Sequence, residues 1–304
     1  MSDHTALAPH GAAIASALPE LVPAPRRGGP AVAFARRHPA ALIGGFLLAI
    51  MVLLALFAPW LGTVDPTALS PIRRNRPPSA QYWFGTDTLG RDLYSRVLYG
   101  ARISLLVGIT VAVLSAILGT IIGLTSGAMR WLDAIVMRVM DGLMSIPGIL
   151  LAIALMALTR GSVYNVIIAI TIVEIPRVAR LVRSLVLSLR EQPFVEAATA
   201  SGSGTLKIVV RHILPNTMAP LLVQATYICA AAMIIESILS FIGAGTPPTI
   251  PSWGNIMAEG RALWQVRPHM VFIPAAFLCL TVLSVNMLGD GLRDALDPHA
   301  VKRL

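Results

Sequence analysis

Long apolar stretches alternate along this chain with short segments rich in Arg, Gly and Pro. The stretches cover residues 40–58, 103–127, 134–159, 163–176, 217–242 and 270–288. A bilayer core about 30 Å thick is crossed by roughly 20 apolar residues of helix, so the pattern predicts six transmembrane helices. The first stretch is too long for the apolar part of a secretory signal and reads as an uncleaved span, with Pro59 and Trp60 at its outer interface. The third is expected to bend near Pro147 and Gly148, and the fourth to end at Pro176. In the second, Ser115, Gly119, Gly123 and Gly127 recur every fourth residue and line one helix face, where small residues let another helix approach closely.

Composition agrees with a membrane chain. Of 304 residues 56% are hydrophobic and 13% charged, with mean hydropathy +0.74, whereas soluble domains carry about 25% charged residues. The net charge of +9 does not point to nucleic acid, because Lys and Arg sit between apolar runs, as in loops held at a lipid surface. An even number of spans puts both termini on one side. If that side is the cytoplasm, 15 of the 24 Lys and Arg lie inside, the bias expected of inner loops. Residues 1–38, rich in Ala and Pro, then read as a mobile cytoplasmic tail, 39–62 as the first span and 63–101 as an outer loop. Residues 102–290 form the transmembrane core, with a cytoplasmic loop at 184–216, and 291–304 a cytoplasmic tail. Arg91, Arg96 and Arg102 fall outside against the bias. They are expected on an amphipathic surface helix whose Leu93, Val97 and Leu98 face lipid or protein.

Several chemistries find no support. Cys229 and Cys279 lie in apolar runs without CxxC spacing and read as small hydrophobes, not a redox pair. The six histidines show no metal-ligand spacing, and no phosphate-cradling P-loop is present, so nucleotide chemistry must come from another subunit.

The most informative polar segment is FVEAATASGSGTLKIVVRHILPN, residues 194–216. Pro193 suits the first position of a helix and Gly202 the residue just past its end. A second helix, capped by Ser203 and ended by Pro215, would carry a stripe of Leu206, Val209, Val210 and Ile213, with Lys207 and Arg211 pointing away. Spacing alone leaves open a solvated loop with helical turns.

The wording of this segment, EAA, three residues, Gly and a terminal LP, resembles the signature loop of ATP-binding-cassette importer permeases. The matching positions are Glu196, Ala197, Ala198, Gly202, Leu214 and Pro215. His212 stands where the broad pattern prefers Ile, a departure shared by the peptide branch. Two further segments, FGTDTLGRDLYSRVLYGARISLLVG (84–108) and SFIGAGTPPTIPSWGNIM (240–257), resemble those of the C-type permease of dipeptide and oligopeptide importers; the likeness runs from about residue 36 to the C-terminus.

The resemblance implies an all-α integral membrane protein with the type I importer permease fold, in a bacterial inner membrane. It implies a heterodimer with a B-type permease, two ATPase subunits that bind ATP and Mg, and a periplasmic solute-binding protein. No cofactor is expected in this chain, which would be a non-catalytic permease subunit. The EAA positions, with His212, would seat in the ATPase. Gly85, Thr86, Asp87, Gly90, Arg91 and Asp92, with Ser252, Trp253 and Gly254, would form a lid meeting the binding protein, although a solvated, lipid-facing loop fits the residues too. The solute would be a peptide or a related solute such as glutathione, a nickel complex or a sugar.

Asp141, Glu174, Glu236 and Asn286 lie in or at the ends of spans, where ionisable groups are functional candidates by default. Helix-anchoring hydrogen bonds are the alternative to a place in the solute path, and Arg138 suits a local pair with Asp141. An ion-coupled secondary transporter would call for inverted repeats, and a membrane-embedded enzyme for a catalytic constellation; the chain shows neither.

Overall fold

A computed structural model of the chain describes residues 39–296; the terminal segments 1–38 and 297–304, which include the expected N-terminal tail, lie outside the described residues. Among the described residues the regular structure is helical, with one isolated antiparallel bridge between Thr86 and Asp92.

Helix α1 (Pro39–Phe57) is apolar on all sides. It presents Leu42, Ile43, Phe46 and Leu53 outward, as suits a lipid-facing span. Helix α2 (Leu93–Ala128) is 36 residues long, about 54 Å at 1.5 Å per residue. This corrects the separate amphipathic surface helix. Asp92 caps the N-terminus by accepting from the Ser95 amide at 2.8 Å, and no proline interrupts the chain to Ala128, so the arginine-bearing turns are continuous with the span. Leu93, Val97 and Leu98 are buried in protein.

The third stretch is broken more sharply than a kink. Helix α3 (Arg130–Ser145) and helix α4 (Gly148–Ala157) meet at 91°. Pro147, at the N-cap of α4, marks the break. Helix α5 (Val163–Arg190) does not end at Pro176. The proline sits buried inside a 28-residue helix, tolerated because neighbouring helices clasp the segment on both sides.

The tightest packing joins α2 to α5. A methyl group at Gly119 would lie 2.5 Å from Val178 Cβ, one at Gly123 2.6 Å from Ala179 O, and one at Gly127 2.7 Å from Val186 Cβ. The small-residue face read from the sequence is thus the α5 seam, and the bare backbone there permits the approach.

Helix α6 (Pro193–Ala200) follows, then helix α7 (Thr205–Ile208), a π turn (Val209–Ile213) and helix α8 (Leu214–Phe241). Pro215 therefore does not end a helix; it occupies the first turn of α8, where a missing N–H matters least. From Thr205 to Phe241 the chain is one continuous helical run of 37 residues, with Pro220 inside it. Helix α9 (Trp253–Gly260) and helix α10 (His269–Leu296) complete the fold, α10 running on past the expected boundary at residue 290.

Among the described residues four helices qualify as spans by length and apolarity, namely α1, α2, the α7–α8 run and α10, or five with the bent α3–α4 pair counted as one. The other expected span, α5, is long enough but carries Glu174, Arg177, Arg180 and Arg183. Those charges are compensated. Arg183 makes a two-pronged pair with Asp133 (2.5 and 2.6 Å), Arg180 meets Asp141 at 2.6 Å, and Arg177 meets Glu174 at 2.9 Å. Cys229 and Cys279 are both free.

Candidate functional site

The segment 193–216 forms a short protrusion joining the ends of α5 and α8. Val195, Ile208 and Ile213 are buried and anchor it to the helices. Glu196 and Ala197 are exposed on α6, with Ala198 partly so. Ser203 does not cap the next helix; Gly204 occupies that position without a side-chain bond. The expected apolar stripe is also shifted. Ile208 and Ile213 turn inward, whereas Leu206 and Val210 stand 78% and 54% exposed. Gly202 follows the α6 C-terminus with φ +80°, a left-handed turn that disfavours a side chain, and nothing lies within 4 Å of where its Cβ would be. Leu214 and Pro215 open α8, while His212 is partly buried within the π turn.

At the opposite end, the two segments quoted for the lid come together. Gly85 and Gly90 take φ of +80° and +78°, framing the turn. Thr86 accepts from the Arg76 amide at 2.8 Å and donates to the Arg73 carbonyl, tying the turn to the preceding loop. Asp87 is 1% exposed. Its Oδ1 accepts the amides of Leu89 (2.8 Å) and Arg91 (2.9 Å), and its Oδ2 meets Arg91 Nε (2.6 Å) and Arg96 Nη1 (2.5 Å). Glu259 of α9 completes the group. It accepts from Arg91 Nη2 at 2.5 Å, from Arg96 Nη2 at 3.0 Å and from Arg96 Nη1. Two cations and two carboxylates thus neutralise one another in a buried cluster. Arg91 and Arg96, expected to rest on a surface, are 5% and 1% exposed.

Trp253 is fully buried and donates its indole N–H to the Val97 carbonyl at 3.0 Å, fastening α9 to α2. Ser252 caps α9 by accepting the Asn255 amide at 3.2 Å. At Gly254 a side chain would strike Ser237 O at 2.6 Å, so α9 lies directly against α8. Asn255 donates to Thr246 Oγ1 (2.9 Å), Pro247 O (2.9 Å) and Ile250 O (3.0 Å), giving the Pro-rich loop its shape. Asn255→Ala is expected to leave those buried acceptors short of a donor, at about 1–3 kcal/mol. Faster hydrogen exchange across residues 246–252 would register the loss.

Asp141, Glu174, Glu236 and Asn286 do not converge. Asp141 pairs with Arg180, not with Arg138 as its spacing suggested, and Glu174 with Arg177. Glu236 is fully buried beside the outer loop, accepting from Ser240 at 2.8 Å. Asn286 is partly buried on α10. Glu259 and Asn255 escaped the sequence reading. The available signal was that Glu259 is the lone acid between Glu236 and Asp290, in a stretch otherwise carrying only basic charges.

Comparison with known proteins gives consistent matches. Residues 108–302 match the binding-protein-dependent transport system inner membrane component family, and residues 35–78 the N-terminal transmembrane domain of oligopeptide transport permease C. The chain is 52% identical to the probable peptide ABC transporter permease protein y4tQ of Sinorhizobium fredii, over 90% of this chain and 93% of that protein. It is 42% identical to the dipeptide transport system permease protein DppC of Alkalihalophilus pseudofirmus, over 86% of this chain and 87% of that one. It is 43% identical to the glutathione transport system permease protein GsiD of Escherichia coli, over 86% and 88% respectively.

Proposed function

Because the chain belongs to the inner-membrane permeases of binding-protein-dependent ABC importers, we propose that it carries peptides across the inner membrane, driven through the 193–216 protrusion by separate ATPase subunits. The carrying observation is that protrusion, anchored by Val195 and Ile213 yet presenting Glu196, Ala197 and Leu206 to water. Shape should dominate over charge at such a seat, since a solvent-screened pair through Glu196 contributes about 0–1 kcal/mol. The peptide substrate rests on relatives named for peptides and dipeptides; glutathione, in the name of another, is the alternative.

A B-type permease would complete the passage, a solute-binding protein would meet the outer cluster, and ATP with Mg would be handled by the ATPases rather than by this chain. Both termini would face the cytoplasm, as the Lys and Arg distribution favours. Asp141 and Glu174, held by arginines of α5, would serve helix anchoring before any role in the path.

Gly202 supplies the test. Its Cβ position is open, so the first atom of the Gly202→Leu side chain meets no neighbour within this chain and the backbone strain there is about 1–2 kcal/mol. In proteoliposomes with the full importer, that variant is expected to move far less peptide per ATP hydrolysed, while Gly202→Asn, which tolerates the left-handed turn, retains most coupling. Normal coupled uptake by Gly202→Leu would remove the protrusion from the mechanism.

A further inference from the structure

Beside the turn at residues 85–92, the outer loop encloses a cavity of about 510 Å³. Its wall is aromatic and cationic. Tyr82, Trp83 and Tyr94 line it, with Trp83 and Tyr94 edge to face at 4.9 Å, and the Arg73 guanidinium stands 5.9 Å from the Tyr82 ring centroid. Arg74 and Arg76 follow directly. Among the described residues, none of these three arginines is ion-paired. Nor does any nearby acid form an ion pair with them. Asp92, also on the wall, accepts from Ser95 N (2.8 Å) and Oγ (2.6 Å), and Asp87 is sealed in the cluster with Arg91, Arg96 and Glu259. Asp65 accepts from the Thr67 hydroxyl (2.6 Å) and amide (2.8 Å), bonds that hold its carboxyl below the usual range.

Two large apolar side chains of the lining, Leu69 and Trp83, are 65% and 63% exposed. Trp, Tyr and Arg around a recess are the residue types that carry most protein–protein binding energy. Lipid anchoring uses side chains that protrude, whereas this arginine stands over an aromatic ring within a concavity. The loop is also held in place. Ser70 N donates to Leu89 O (3.2 Å), Asn75 N to Asp87 O (3.0 Å) and Thr86 N to Arg76 O (3.0 Å), so the cavity is pinned to the buried cluster and needs little ordering on binding.

We propose that this cavity receives an acidic side chain on a protruding loop of the solute-binding protein, its carboxylate meeting Arg73 and its flanks packing on Trp83. The proposal rests on the importer reading above and names the partner's contact chemistry. It is tested with the complete importer in nanodiscs and its purified solute-binding protein, by measuring association. Arg73→Glu is expected to weaken association by at least about tenfold, and Arg73→Lys to retain most of it. If Arg73→Glu fails to assemble, Arg73→Gln carries the same test with a smaller loss. Association unchanged by Glu or Gln at this position overturns the proposal. In nanodiscs of brominated lipid, fluorescence lost in Trp83→Phe should be the unquenched part; quenching would place Trp83 in the bilayer and also overturn it. A wild-type importer that fails to bind its solute-binding protein at all would instead undo the functional reading.

Discussion

Arg96→Leu is expected to destabilise the outer half of the protein by about 3–5 kcal/mol, the largest effect of any single substitution considered. Arg96 is 1% exposed and bonds both Asp87 and Glu259. Removing it leaves the buried Asp87 and the partly exposed Glu259 sharing the single cation of Arg91. An uncompensated buried charge is far costlier than the pair was favourable. The loss should appear as a large drop in the thermal midpoint of the detergent-solubilised protein and as proteolytic cleavage within residues 84–92. Balance can be restored from the other side. Arg96→Leu combined with Glu259→Gln leaves the Arg91–Asp87 pair, and the double variant should be more stable than Arg96→Leu alone. Additive losses would mean that the four groups do not act as one unit.

Gly123→Val should be nearly as damaging, for a steric reason. The added Cβ would meet Ala179 O at 2.6 Å and Val182 Cβ at 2.7 Å, backbone and near-backbone atoms that cannot swing away. Overpacking in a close-packed interior typically destabilises by about 1–3 kcal/mol, and a clash against backbone belongs at or above the top of that range. Because Gly119 and Gly127 continue the same seam, the whole α2–α5 interface would part. The expected result is loss of the monodisperse peak on size exclusion. A swap tests the cause. Gly119→Ala alone places a methyl 2.5 Å from Val178 Cβ, so pairing it with Val178→Gly should recover most of the stability, less about 1 kcal/mol for a glycine within a helix. Wild-type behaviour of Gly123→Val would refute the seam.

These two sites differ in how visible they are in sequence. The glycine seam was legible because its cause is local: helical spacing of four puts small side chains in a row, whatever lies opposite. The bend at Pro147 and the turn at Gly202 were legible for the same reason, each fixed by the conformational limits of one residue. The outer cluster was not. Asp87, Arg96 and Glu259 are drawn together over a separation of 163 residues or more for Glu259, and no periodicity carries that information. Arg91 and Arg96 looked like surface charges because one of their two partners, Glu259, sits on another helix, and the other, Asp87, is brought back to them only by the turn at Gly85 and Gly90. Pro176 and Pro215 misled in the opposite sense. Each breaks a helix in isolation, but packing against α2 carries α5 through the first, and a π turn lets the chain enter α8 before the second. The family wording of residues 194–216 marked the protrusion, while only the fold shows which of its apolar residues remain in water.

The π turn has a mechanical meaning. It joins α7 to α8 without a break, yet it and the two prolines that follow, Pro215 and Pro220, are the places where a helix bends most readily, so the helical run Thr205–Phe241 has its bending points near one end. One end emerges beside the exposed Leu206, and the other carries Glu236 and Ser240 beneath the Pro-rich outer loop. A push at Leu206 would therefore act first on this pliant neck, and only through it on Ser240.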